Sequence, residues 1–71
     1  MSERVNVRVL LVIGTEAEVV ADVPPAEREA PVRFPASEIA DAVGLEVGDL
    51  PGRALTAVVA AGDRLTDWRL T

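Results

Sequence analysis

Cysteine and histidine do not occur in this chain, and tyrosine, lysine and glutamine are missing too. Without cysteine there is no disulfide framework. Without either residue there is no zinc knuckle, Cys–His nucleophile or Ser–His–Asp triad. Phe34 and Trp68 are the only aromatics, too few to wall a cleft with rings. Long apolar runs are also lacking. The longest strand-like one, Val9–Ile13, stops at Gly14 and is too short for a secretory core or a membrane span. Position 2 is not glycine and no cysteine can carry a lipid, so a cytoplasmic protein without membrane partners is expected.

What is present is 71 residues, enough for one small domain over 1–71 with a thin core. Twelve acidic residues against seven arginines leave a net charge of −5. Such a field repels phosphate at long range and disfavours DNA. The arginines (Arg4, Arg8, Arg28, Arg33, Arg53, Arg64 and Arg69) are scattered and read as solvated charges beside acidic neighbours.

Residues 4–13 alternate as a strand, with Val5, Val7, Val9, Leu11 and Ile13 on one face. The other face is polar at Arg4, Asn6 and Arg8, then apolar at Leu10 and Val12. The far half is therefore apolar on both sides and needs cover from its own domain or a second copy. Residues 16–23 alternate again, so a hairpin over 4–23 is expected. A two-residue loop at 14–15 would set Ile13 opposite Glu16 and Leu11 opposite Glu18, mixing the faces. The pattern therefore asks for a three-residue loop or a bulge.

Residues 24–31, with three prolines and three charges, read as an extended connection. Val32–Phe34 is extended before Pro35. A helix over about 36–43 follows, with Ile39, Ala42 and Val43 as its buried stripe and Gly44 as terminator, Leu45 folding back onto Ile39 or Ala40. Ser37 has no base partner and reads as helix-start chemistry. Residues 46–52 read as turns. A second hairpin spans 53–70, anchored by Trp68 with Thr66 and Leu70 on its face. The expected fold is α+β: a small ββαββ domain with an N-terminal β-hairpin, one short helix and a C-terminal β-hairpin.

Carboxylate pairs are the only catalytic raw material: Glu16/Glu18, Glu27/Glu29, Glu46/Asp49 and Asp63/Asp67. They would need a cleft that shifts their pKa values, and no EF-hand spacing or phosphate-cradling glycine loop accompanies them. The expectation is no catalytic residue, no metal ligand, no cofactor and no enzymatic activity.

Residues 39–50, IADAVGLEVGDL, carry a helix, a glycine stop and a Gly-Asp turn. Ile39, Val43, Gly44, Leu45, Gly48 and Asp49, preceded by Val32, Arg33 and Phe34, resemble the pattern of the AbrB-like swapped-hairpin family, which includes MazE-type antitoxins. The resemblance covers residues 32–70. It implies an obligate dimer that binds DNA as a regulator or antitoxin, with Arg33 at the DNA-facing strand position. Ala40 stands where that family commonly has a basic residue, and Pro51-Gly52 lengthen the segment after the Gly-Asp turn.

The residues themselves favour a non-enzymatic protein-interaction module that forms a homodimer or takes another protein. Leu10, Val12 and Ile13 are its expected interface.

Overall fold

Strand β1 (Glu3–Ile13) is the spine of the fold, because it pairs on both sides. Its first half, Glu3–Arg8, runs antiparallel to β4 (Ala54–Ala60), and its second, Val7–Ile13, to β2 (Glu16–Ala21). In this computed structural model, which describes residues 3–71 apart from the Asp63 side chain, β3 (Val32–Pro35) adds to β2 and β5 (Arg64–Leu70) adds to β4. The result is one antiparallel sheet of order β3-β2-β1-β4-β5. The fold is α+β, but two hairpins flanking a helix understate it: the extended residues before the helix form a fifth strand.

The two edge strands of a flat five-stranded sheet would lie about 19 Å apart. Here Phe34 of β3 and Trp68 of β5 meet edge to face, with ring centroids 5.2 Å apart. The sheet must therefore be curled into a half-barrel, and its concave side holds the core. The Cα radius of gyration, 11.2 Å, suits a compact chain of this length.

The register of β1 resolves the loop question in favour of a bulge. The loop is only Gly14-Thr15, and Gly14 takes the positive φ of 59° that the first position of a tight hairpin turn demands. Ile13 then faces Glu16 and Leu11 faces Glu18, but Val9 faces Val19, so Leu10 is an extra residue with no partner of its own. Beyond the bulge the faces exchange. Val12 turns inward beside Ala17, whereas Leu11 and Ile13, expected on the core face, point outward.

A second irregularity corrects the face of Trp68. Thr56 pairs with Arg69 but Val58 with Thr66, which leaves Asp67 and Trp68 together opposite Ala57. Asp67 absorbs the extra residue at φ 52°, and Trp68 is buried with Leu65 half-buried beside the core. Thr66 is thereby moved to the opposite face, whereas Leu70, paired with the buried Leu55, keeps the face of Trp68 and is exposed only as part of the edge strand. Arg4 holds this kink from the neighbouring strand pair. Its guanidinium donates to Thr56 Oγ1 (2.9 Å) and to the Asp67 carbonyl (3.1 Å), and it pairs with the Asp67 carboxylate.

Helix α1 (Ala36–Val43) covers one end of the concave face. Ala36, Ile39 and Ala40 are buried and Val43 is half-buried, an i, i+3, i+4, i+7 stripe. Ala42, expected in that stripe, is exposed: the two small alanines at 36 and 40 are what let the helix sit close to the sheet. Ser37 is exposed and makes no cap bond; the Ala36 N–H donates instead to the Thr15 carbonyl at 2.9 Å, pinning the helix start to the β1–β2 turn. Gly44 ends the helix at φ 72°, and the Leu45 N–H donates to the Ala40 carbonyl at 3.0 Å. A turn at Val47–Asp49 then drops Leu50 into the core with Ile39, Leu55 and Val9, the largest fully buried side chains.

Candidate functional site

The tip of the β1–β2 hairpin carries the residues expected at an interface. Leu10 is 36% exposed and Ile13 49%, with Leu11 at 39% between them. Val12 is half-buried against the core, so it belongs to the fold's interior margin more than to the outer surface. Two alternating rows cross the convex face here, Leu11–Glu18–Arg33 and Ile13–Glu16–Pro35. An apolar strip on β1 is thus bordered by two carboxylates on β2.

The backbone at this tip is open as well. Pairing with β4 ends at Arg8, and the Val9 amide and carbonyl are taken by Arg53 (3.0 Å) and Gly52 (2.8 Å). Among the described residues no strand covers the β4-side edge of Leu10–Ile13. Apolar side chains on both faces and a free edge coincide in one short segment.

Arg33 lies on β3 with its side chain half exposed. Its Nε donates to Glu18 Oε2 at 3.4 Å and its Nη1 is 4.0 Å from Glu16 Oε1. Arg8 is similarly matched with Asp22 (3.4 Å) and Arg69 with Asp67 (3.3 Å), so these cations sit beside carboxylates. Neighbouring charges of opposite sign cancel most of their distant field.

No protein-family model, curated protein or solved structure matches this chain. What it can do must therefore be argued from its own surfaces.

Among the described residues no three acidic side chains converge as metal ligands, and no helix is long and apolar enough to cross a membrane. Glu16 and Glu18 share Arg33 between them, while Glu46 and Asp49 are exposed on the turn before Leu50. The Asp63 side chain of the Asp63/Asp67 pair lies outside what the structure describes.

A second surface was not legible in the sequence. The end of the concave face that α1 leaves uncovered is a groove of 520 Å³. Val5, Ala21, Val59, Leu65 and Phe34 line it, with Glu27 and Glu29 at one side. Only the curl of the sheet brings these five elements together. The faint signal was that Val5, Val59 and Leu65 are apolar in strands whose shared core stripe had no helix left to cover it.

Proposed function

We propose that this domain is a non-enzymatic, cytoplasmic protein-interaction module that works without a cofactor and associates with a second copy of itself through Leu10–Ile13. The carrying observation is the coincidence of a free strand edge with exposed Leu10, Leu11 and Ile13. Edge-to-edge pairing of β1 with its two-fold mate would extend both sheets into one and withdraw these side chains from water. A monomer that left such an edge bare would carry an aggregation hazard, which natural sheets avoid with charge, proline or cover. None of those devices protects residues 10–13, where the one irregularity is the bulge at Leu10.

The DNA-binding alternative rests on the resemblance of residues 32–70 to swapped-hairpin regulators and would use Arg33. The pairing of Arg33 with Glu18 and Glu16 weighs toward the protein reading. Salt separates the two. Copies that each carry −5 repel, so added salt strengthens self-association, whereas DNA binding weakens steeply.

Light scattering over a wide concentration range, at low and high salt, is the test. A folded dimer that Ile13→Asp converts to a monomer supports the module. A wild-type chain that stays monomeric at high concentration overturns it. Salt-sensitive DNA binding abolished by Arg33→Glu would put the regulator reading in its place.

A further inference from the structure

The open groove has a composition that points to its occupant. Its 520 Å³ falls within the range of about 300–1,000 Å³ usual for ligand sites. Eleven of its thirteen lining residues are apolar, and the other two are Glu27 and Glu29; no cation lines it. Arg28 sits between them in sequence, half-buried, and its Nε donates to the carbonyl of the lining residue Val23 at 3.1 Å. Among the described residues neither Glu27 nor Glu29 has an arginine within 4.0 Å.

The backbone that carries Glu27 is set by a turn. The 3-10 turn Pro25–Glu27 is closed by the Glu27 N–H donating to Pro24 (2.8 Å) and the Arg28 N–H donating to Pro25 (3.3 Å). A proline-set turn therefore presents Glu27, with Glu29 two residues further on, as negative charges along an apolar trough.

The walls of the trough come from both edges of the sheet, Val32 and Phe34 from β3 and Leu65 from β5. Because every pairing is antiparallel, β3 and β5 each run in the direction of β1. A chain entering between them in the opposite direction would be antiparallel to both, as a sixth barrel strand would be.

We propose that this groove binds an extended segment of another protein in which aliphatic side chains alternate with lysine or arginine. The aliphatic groups lie over Val59, Leu65 and Phe34, and the cations meet Glu27 and Glu29. This site is separate from the Leu10–Ile13 edge and does not depend on self-association there.

The test titrates the full chain with a capped pentapeptide of alternating valine and arginine, its glutamate counterpart, and decyltrimethylammonium as a non-peptide cationic amphiphile. Trp68 emission and amide NMR shifts report occupancy, since the Trp68 ring touches Phe34 in the groove wall. Saturable binding of the arginine peptide is expected, with shifts at Phe34, Val59 and Leu65 and binding of the glutamate peptide at least about tenfold weaker. The Glu27→Gln/Glu29→Gln variant should bind the arginine peptide about tenfold less tightly with an unchanged circular dichroism spectrum. Ile13→Asp should bind it like the wild type, so loss of the edge and loss of the groove are read separately. The proposal fails if the arginine peptide leaves the groove residues unshifted, if both peptides bind alike, if the double variant is unaffected, or if only the amphiphile binds.

Discussion

The two ends of the half-barrel share the same five strands and differ in what closes them. At one end α1 and the Val47–Asp49 turn seal the concave face, and Val9, Ile39, Leu50 and Leu55 are withdrawn completely from water. At the other, the same rows of β1, β2 and β4 continue as Val5, Ala21 and Val59 with only a proline-bound turn beside them. Strand alternation thus does not distinguish a core from a groove; the length of the one helix does. Eight residues cover about 12 Å, roughly a third of the length of β1 and no more.

Matched truncations would break this comparison most directly. Leu55→Ala empties a fully buried position and should cost about 3 kcal/mol in urea unfolding, enough to leave so small a domain barely folded. Leu65→Ala, at the groove, should cost about 1 kcal/mol, because its side chain already meets solvent. Equal losses would mean that the two ends are packed alike.

Two neighbours on β1 sharpen the contrast between inner and outer faces. Val12→Asp places a carboxylate against the core margin and should destabilise the fold by about 2 kcal/mol. Ile13→Asp, on the outer face, should change unfolding of the monomer by less than about 0.5 kcal/mol while its self-association is lost. Paired chemical denaturation and light scattering on both variants would check the reversal of faces that the bulge imposes.

Smaller effects belong to backbone conformation. At Gly44 a Cβ would meet nothing within 4 Å, so Gly44→Ala tests the left-handed φ alone and should cost about 1 kcal/mol. At Asp67, also left-handed, both Asp67→Gly and Asp67→Ala remove the Arg4 and Arg69 pairs. Glycine should nonetheless be more stable than alanine by about 0.5–1 kcal/mol in thermal unfolding. Equal stability would show that the bulge relaxes once its carboxylate is gone.

The local elements were legible where a residue fixes the backbone. Pro35 and Gly44 bound α1, and Gly14 marks the first turn. The tertiary pairings were harder to read. Nothing local says that β1 should take β4 as well as β2, since that depends on how far the chain travels between residues 35 and 54. Both bulges hid for a related reason. Between Leu10 and Ile13 every residue is apolar, so the alternation carries no record of which face is inside. Around Asp67 the kink depends on Arg4, more than sixty positions away. Of the three residues expected at an interface, Leu10 and Ile13 are exposed and Val12 is half-buried against the core. Leu11 is exposed as well, because the bulge turns it, like Ile13, off the face that alternation gave it, and the groove was not legible because it exists only once the sheet curls.

Leu10 has a further consequence. As the unpaired member of its strand, it is the residue whose excision would leave Val9 facing Val19 and Leu11 facing Glu18 as before. A single-codon deletion there would straighten the ladder without altering which side chains point where. The chain therefore contains its own regularised version one residue shorter. Whatever the leucine contributes must lie in the bend it gives β1 as that strand parts from β4, or in the surface it offers outward.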